Sequence, residues 1–451
     1  MKTAGPNAWL RLALVGMLLV TPSVAFATNE GPSDDPTLIV VALILAVGAA
    51  YLLAHFVVGR LQKTFLVLTG IEYLLLGFLL GPEVPTHIPA FSDLPRLLPI
   101  VALAVGWVGL LRGMEVDLRR ARSQATTGAT RVVIVQAVVT GAGVALAAHY
   151  AFTRGWLFPY GTPGTDAIVG PRQAWMSAAV MGCVAAAGSY QPIELLVSRY
   201  GLAGEMPERL RRMAALSDLV AIVAFGLMFC VFHTSAPEAL VHPSATEWAV
   251  ITLLLGLLLG VLFTPYLGAD DSENGRFLAM VGIITLASGA AYFLDLSPLL
   301  VNLCLGIVLV NTARTGPALR KTLESTKRPM ALVLLVFAGA LWHPPDPIHA
   351  VLVTAGYVVL RFAGKVLGGR LAAWRTTIRK DYWRAVLGHG EVSVAMAVSF
   401  RLVYDGPAVD LAYTAILVSV VLNDLLAPRL LRGLLVDTGD IRREGSEPPS
   451  A

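Results

Sequence analysis

Charged residues are scarce in this sequence. Asp, Glu, Lys and Arg make up 14% of its 451 residues, whereas hydrophobic residues make up 56%; soluble globular domains contain about 25% charged residues. The composition therefore excludes a soluble globular protein. Apolar stretches of about twenty residues, the length of a helix that crosses the hydrocarbon core, recur along the chain. Because they lack the alternation of a membrane β-strand, they predict an all-α polytopic membrane protein.

Cysteine is also rare, and its spacing excludes two kinds of site. Cys183, Cys230 and Cys304 fall inside or beside the apolar stretches, where a free thiol behaves as a small apolar side chain. They form neither a disulfide framework nor a zinc motif, and the histidines are not spaced as metal ligands. We therefore expect no cofactor and no metal beyond a transported monovalent cation.

The first residues have the features of a targeting segment. Lys2 and Arg11 precede an apolar run that ends with the small residues Ala25 and Ala27. This pattern predicts a signal peptide over residues 1–27. The alternative is an uncleaved first span, which leaves the downstream topology unchanged. We assign residues 38–433 to a transmembrane domain and expect residues 434–451 to form a short cytoplasmic tail.

The loops between the apolar stretches alternate in charge. Lys and Arg are frequent in every second loop, and they are absent from the loops 233–247, 343–347 and 405–410. By the positive-inside rule the basic loops are cytoplasmic. We therefore predict a protein of the inner membrane with an external mature N-terminus and a cytoplasmic C-terminus. This topology explains the net charge of +4, so the expected partner is the lipid bilayer and no nucleic acid is needed.

About thirteen spans are predicted, each with the length of a bilayer-crossing helix. They start near Leu38, Phe65, Leu97, Thr130, Ala174, Met213, Glu247, Phe277, Ser297, Pro329, Ile348, Trp383 and Leu411. At the end of the third span, Arg112, Glu115 and Asp117 follow closely. We interpret these three residues as a solvated or interfacial network at a cytoplasmic helix end.

Two of the spans contain residues that interrupt a helix. Each has a group of Gly and polar residues at mid-membrane depth: Gly188, Ser189, Gln191 and Pro192 in the fifth span, and Gly388, His389, Gly390 and Glu391 in the twelfth. Gly and Pro interruptions free backbone groups, and one such break in each half of a chain is typical of inverted-repeat transporters. We therefore predict two inverted repeats with two discontinuous crossing helices, and the seventh span as a linker.

The sixth span carries one carboxylate, Asp218, inside an apolar run. A charge at the middle of a spanning helix costs about 2.5 to 3.5 kcal/mol, and such residues face a cavity or a partner. In the eleventh span, Arg361 and Lys365 share a helix face and are the candidate charge partners. A structural ion pair and an ion-transport site both fit this arrangement. Asp424, which repeat symmetry relates to the Asp218 region, is the second-choice functional carboxylate.

Five segments, in order along the chain, carry a family resemblance. They read YLLLGFLLGP, GLLRGMEVDLRRAR, SPLLVNLCLGIVLVNT, GKVLGGRLA and GHGEVSVAMA. In these segments the chain resembles the monovalent cation:proton antiporter superfamily, in the branch that includes bacterial sodium/proton antiporters and glutathione-gated potassium efflux proteins. The resemblance covers nearly the full length that follows the targeting segment.

The resemblance implies a homodimer, with spans one to three and eight to ten at the interface and spans four to six and eleven to thirteen as a moving core. It implies that Asp218 binds cation and proton alternately, with Lys365 as its basic partner and Arg361 as the alternative. Ser217 stands where the family has Asp, Asn or Gln, and His389 stands where the family usually has Arg. A histidine there could sense pH near neutrality, or it could be a polar cap on a broken helix.

The resulting hypothesis is a secondary active transporter, not an enzyme, that exchanges a monovalent cation, sodium or potassium, for protons by alternating access. The candidate ion- and proton-binding residues are Asp218, Ser217, Ser189 and Gln191, and the candidate helix-break or pH-sensing residues are Gly188, Pro192, His389, Gly390 and Glu391. A single site carboxylate predicts electroneutral one-for-one exchange.

Two other classes of function are alternatives to exchange. A cation channel or uniporter on the same scaffold is the alternative function, since it moves the cation without exchanging a proton. An intramembrane aspartyl protease needs two facing Asp residues, and the sequence has no second Asp motif of the Gly-x-Gly-Asp kind.

Overall fold

A computed structural model describes residues 70–81, 94–118, 127–154, 170–202, 204–233, 243–267, 273–312, 316–374 and 379–441. Within these ranges the regular secondary structure is helical throughout, which confirms the predicted all-α fold. The predicted signal peptide and the first span near Leu38 lie outside the described residues.

The described helices are numbered here in chain order. They are α1 (Ile71–Leu80), α2 (Leu94–Met114), α3 (Thr127–Thr153), α4 (Pro171–Ala186), α5 (Gln191–Tyr200), α6 (Glu205–Val231), α7 (Ala245–Leu267), α8 (Glu273–Phe293), α9 (Pro298–Thr312), α10 (Gly316–Ala340), α11 (Pro347–Ala373), α12 (Glu391–Val403) and α13 (Pro407–Asp437). A short 3-10 helix, Tyr382–Ala385, precedes α12.

Eight segments of the described chain are long and apolar enough to cross a membrane. They are α2, α3, α4 together with α5, α6, α7, α8, α11 and α13. Helix α9 is apolar but has only 15 residues, and α10 begins with a charged half. The total of about thirteen spans stays a prediction.

Both predicted interruptions are present in the structure. Helix α4 ends at Ala186, and α5 begins at Gln191 after four residues that are not helical. Pro192 occupies the first turn of α5, where its missing N–H removes no helical hydrogen bond. In the second segment the chain leaves the 3-10 helix at Ala385, and α12 begins at Glu391. We call residues 187–190 and 386–390 the first and second breaks.

The two breaks contact each other directly. The backbone N–H of Ser189 donates a hydrogen bond of 3.0 Å to the carbonyl oxygen of Gly388. A Cβ atom on Gly388 would come within 2.9 Å of the Pro192 ring, and one on Gly390 would overlap the Ser189 hydroxyl. The second break therefore packs too closely against Pro192 and Ser189 for a Cβ atom at either glycine.

Helix α2 is held tightly against α9 by glycines on both sides. A Cβ atom on Gly109 would lie 2.3 Å from the carbonyl oxygen of Leu299, and one on Gly113 would lie 2.2 Å from that of Leu303. Gly306 of α9 faces Leu110 in the same way. Small residues let helix backbones approach closely in membranes. This packing fixes the end of α2 that carries Arg112, next to the two breaks.

Candidate functional site

Asp218 lies on α6 beside the first break. The side chain is 2% exposed, and its Oδ1 atom accepts a hydrogen bond of 3.2 Å from the backbone N–H of Gly188. The neighbouring Ser217 Oγ donates 2.9 Å to the carbonyl oxygen of Ala186. Two consecutive side chains of α6 therefore form hydrogen bonds with the backbone where α4 ends. These bonds place the carboxylate at the first break.

Lys365 of α11 caps the end of α4. Its Nζ atom is fully buried and donates to the carbonyl oxygens of Ala186, at 2.8 Å, and Ala187, at 2.9 Å. These oxygens belong to the carbonyls that the end of a helix leaves without an intrahelical partner, and a cation there also faces the negative end of the helix dipole. Lys365 therefore stabilises the interruption itself.

Arg361, one turn earlier on α11, joins the two breaks. Its guanidinium is buried and donates to the carbonyl oxygens of Leu387, at 2.7 Å, Ala187, at 3.2 Å, and Gly388, at 3.3 Å. It also donates 3.1 Å to Asn423 Oδ1 on α13. One side chain thus satisfies backbone oxygens of both broken segments, which apolar surroundings would otherwise leave unpaired.

The basic residue in contact with Asp218 is Arg112 of α2. Its Nη2 atom lies 3.6 Å from Asp218 Oδ2 and 3.0 Å from Glu391 Oε1, and its Nη1 atom lies 3.2 Å from Glu115 Oε2. Arg112 is only 3% exposed. The solvated alternative for Arg112 was therefore wrong, whereas its predicted association with Glu115 is present, and the interfacial alternative stays a prediction. The packing of α2 against α9 turns this side chain towards the breaks, and such long-range packing cannot be read from a helix end alone.

Tyr190 of the first break and Lys327 of α10 extend this set of contacts. The Tyr190 hydroxyl donates 2.7 Å to Glu115 Oε1 and accepts 3.0 Å from Lys327 Nζ. Arg112 and Lys327 also lie 4.4 Å and 4.7 Å from the centre of the Tyr190 ring, within the range of cation–π attraction. Lys327 Nζ is 3.7 Å from Glu391. We call Arg112, Glu115, Tyr190, Lys327 and Glu391 the charge cluster.

His389 lies in the second break, on the side of α11. Its Nδ1 atom is 2.7 Å from Ser393 Oγ, and its ring stacks near that of Tyr357 with centroids 6.5 Å apart. The ring is fully buried, and its Nε2 atom has no hydrogen-bond partner among the described residues. The contact with Ser393, in the first turn of α12, joins two side chains, and α12 has no side-chain cap hydrogen bond. The polar-cap and pH-sensing roles of His389 both stay predictions.

The remaining candidates sit around the breaks in different ways. Ser189 is buried, and its Oγ atom accepts 3.2 Å from the backbone N–H of Gln191. Asn423, rather than its neighbour Asp424, reaches Arg361. Asp424 Oδ1 is buried and has no hydrogen-bond partner within the described part of the chain. The structure thus assembles Asp218, Ser217, Ser189, Lys365 and Arg361 at the breaks and leaves Asp424 outside these contacts.

Comparison with known proteins places the chain in a family. The sequence profile described as "Sodium/hydrogen exchanger, transmembrane" matches residues 73–433, which is most of the chain. The chain belongs to the sodium/hydrogen exchanger family. The structure is similar to the sodium proton antiporter MjNhaP1 of Methanocaldococcus jannaschii determined at pH 8, with 16% identity and a TM-score of 0.56 over 90% of this chain and 100% of that one.

A second structure of the same archaeal antiporter, an electron-microscopy map, is similar as well. It has 16% identity and a TM-score of 0.54, and the match covers 91% of this chain and 99% of that one. At this identity the likeness shows a common fold. The comparison with curated proteins gave no match. The family and the apolar helices together make the chain a multi-pass membrane protein with the fold of a transporter, as the sequence predicted.

In this exchanger-family chain, the expected charge partner of Asp218 is not in direct contact with it. The ion pairs found in the described ranges join Asp218 to Arg112, whereas Lys365 and Arg361 are bonded to backbone oxygens. A role for Lys365 as the charge partner stays a prediction. The sequence did contain a signal for Arg112, because it stands on an apolar helix with Glu115 one turn later, but nothing pointed to Asp218 as its partner.

The arrangement can bind a small cation through oxygen atoms. Asp218 Oδ2 has no hydrogen-bond partner in the described structure, and the Ser217 hydroxyl donates its proton to Ala186, which leaves oxygen lone pairs available. Hard cations prefer oxygen ligands.

Proposed function

We propose that this protein exchanges a monovalent cation, sodium or potassium, for protons across the inner membrane, with Asp218 as the binding carboxylate. The observation that carries the proposal is the position of Asp218, buried on α6 and hydrogen-bonded to the backbone at the first break. Membership of the sodium/hydrogen exchanger family and the fold shared with a sodium proton antiporter support it. An isolated structural carboxylate needs neither a broken helix nor buried bases beside it.

The ligands we assign to the cation are oxygen atoms at the first break. Asp218 supplies a carboxylate, while Ser217 and Ser189 supply hydroxyls that lie in the same buried region. The Gln191 amide oxygen lies on the Gly390 side of the breaks and is the fourth candidate. Water completes the shell, since half-helix ends in transporters combine backbone, side-chain and solvent oxygens.

Competition between cation and proton provides the coupling. A proton and a monovalent cation carry the same charge, so Asp218 holds one or the other and the site is neutralised in both loaded states. The empty site keeps an unneutralised carboxylate, which is costly to move through hydrocarbon. We infer that only loaded states change their access, which gives electroneutral one-for-one exchange.

Alternating access then requires two bodies that move relative to each other. We assign α3 to α6 and α11 to α13, with the two breaks, to the moving core. The N-terminal spans up to α2, together with α8 to α10, form the scaffold, through which two copies associate as a homodimer. Arg112 and Lys327 on the scaffold side contact Asp218, Glu391 and Tyr190 on the core side, so the charge cluster spans the boundary.

The proposal is tested in liposomes with an acidic interior and a trapped pH dye. Sodium, potassium or lithium is added outside to wild type, to Asp218→Asn, and to Asp424→Asn as the matched second carboxylate. We expect one or more cations to alkalinise the lumen through wild type and Asp424→Asn, and Asp218→Asn to fall to the rate of empty liposomes. A voltage-sensitive dye reports no potential if the exchange is electroneutral.

Three outcomes contradict the proposal. Unchanged alkalinisation through Asp218→Asn makes that residue structural. Loss in Asp424→Asn alone moves the site to the second carboxylate. Cation flux, followed with a radioactive cation, without any luminal pH change identifies a channel or uniporter.

A further inference from the structure

Arg112 faces three carboxylates with a single guanidinium. It is 3.0 Å from Glu391, 3.2 Å from Glu115 and 3.6 Å from Asp218. The contact with Glu391 has the length of a charge-assisted hydrogen bond, whereas the one with Asp218 is longer than such a bond. Arg112 is therefore bound firmly to Glu391 and loosely to Asp218.

The loose contact leaves Asp218 with unused bonding capacity. Its Oδ2 atom, which lies 3.6 Å from Arg112 Nη2, has no hydrogen-bond partner among the described residues, and Nη2 has a second N–H besides the one that it donates to Glu391. A guanidinium has five N–H donors and remains charged. A shift of a few tenths of an ångström towards Asp218 would complete a direct hydrogen bond. The Arg112 guanidinium therefore has two alternative carboxylate partners, Glu391 and Asp218.

We propose that Arg112 controls the cation affinity of the site, because its guanidinium competes with the transported cation for Asp218, and that Glu391 sets the strength of this competition. The inference rests on the proposed exchange function. A cation bound at Asp218 is repelled by the adjacent guanidinium, so tight binding requires Arg112 to stay on Glu391 and Glu115. When the site is empty, the guanidinium moves onto Asp218, but Arg112 belongs to the scaffold and does not travel with the core, so the carboxylate that would have to move stays without a charge partner of its own.

Glu391 is suited to hold Arg112 away from the site. It is the first residue of α12, where the helix dipole favours a negative charge, and its side chain is only 5% exposed. Lys327, at 3.7 Å, shares the same carboxylate and limits how strongly Glu391 holds Arg112. Loss of the Glu391 charge leaves the guanidinium with Glu115 and Asp218, so Asp218 becomes harder for a cation to reach.

The two neutralising substitutions therefore shift cation affinity in opposite directions. Arg112→Gln removes the competitor, and we expect the half-saturating cation concentration to fall on the order of tenfold, a usual size for coupling between neighbouring sites. Glu391→Gln releases the competitor, and we expect that concentration to rise by a similar factor. In the double variant the effect of Glu391→Gln disappears, because the group it released is absent.

The experiment measures cation-driven proton flux in liposomes against cation concentration, with half-saturation and maximal rate reported separately. Arg112→Lys keeps the charge without the planar fork and is expected to lie between wild type and Arg112→Gln. Arg211→Gln, on an exposed part of α6 where Arg211 pairs with Glu208, is the control and leaves half-saturation unchanged. If Arg112→Gln does not fold, the half-saturating cation concentration of Glu391→Gln still tests the competition, because it is expected to rise.

The outcomes separate this inference from the exchange function. A wild type without cation-driven proton flux overturns both. Wild-type exchange with Arg112→Gln and Glu391→Gln shifted in the same direction, or not shifted, overturns the competition alone, because a merely structural Arg112 lowers maximal rate or protein yield without opposite changes in half-saturation.

Discussion

The two pairs of basic residues around the breaks differ in their partners. On α11, Arg361 and Lys365 donate to backbone carbonyl oxygens of the breaks, and both are fully buried. In the charge cluster, Arg112 and Lys327 contact carboxylates and the Tyr190 hydroxyl. Carbonyl oxygens are fixed parts of the backbone, whereas carboxylates can exchange partners. The first pair therefore maintains the broken helices, and under the proposed exchange the second pair is the one that responds to an ion at Asp218.

Removal of one lysine from each pair should show the largest difference between them. Lys365→Met leaves the carbonyl oxygens of Ala186 and Ala187 without their partner in apolar surroundings, and we expect a loss of about 2 kcal/mol or more in the free energy of unfolding. Lys327→Met removes a side chain that is 24% exposed, and we expect about 1 kcal/mol or less. The two variants are ranked by thermal unfolding in detergent, in which size-exclusion chromatography measures the folded fraction that remains after heating. Equal stability of both proteins would contradict the division.

A smaller change separates the contributions of the Tyr190 ring and hydroxyl to the charge cluster. Tyr190→Phe keeps the ring below Arg112 and Lys327 but removes the hydroxyl that links Glu115 to Lys327. We expect about 1 kcal/mol of lost stability and retained exchange, since the cation–π contacts survive. Tyr190→Leu removes the ring as well and is the matched comparison in the same assay. If the phenylalanine variant is as unstable as the leucine variant, the hydroxyl rather than the ring holds the cluster.

The smallest effect lies outside the spans, where pairs are exposed and easily screened. Arg379 donates to Asp381 at 3.0 Å and lowers the pKa of that carboxyl from its usual value of 3.8. A lowered pKa in the folded state means that the pair stabilises the protein above pH 3.8 and that this contribution is lost as the pH falls below it. We expect about 0.5 kcal/mol, visible as a weaker acid dependence of unfolding in Asp381→Asn. An unchanged dependence would show that the pair contributes nothing.

The parts of the site that the sequence predicted are those controlled by local chemistry. Gly188 and Pro192 indicated the first break, Gly388 and Gly390 indicated the second, and an acidic residue in an apolar run indicated Asp218. Each of these predictions depends on which residues a membrane-spanning helix accommodates along its own length, so neighbouring residues in the sequence are sufficient for it.

The contacts that the sequence did not predict depend on how distant helices are placed. Arg112 reaches Asp218 because α2 packs on α9 through Gly109 and Gly113, and Lys327 comes from α10. Asn423 instead of Asp424 meets Arg361, since adjacent residues on a helix point about 100° apart. Repeat symmetry locates the region but not the side of the helix that faces the site.

The hydrogen bond between Ser189 and Gly388 has a mechanical consequence. The two breaks come from distant parts of the chain, yet their backbones touch with no side chain between them, and Arg361 binds carbonyl oxygens of both. We therefore expect the two breaks to move as one unit, although they come from opposite halves of the chain. Under the proposed exchange, an ion bound at Asp218 travels with that unit.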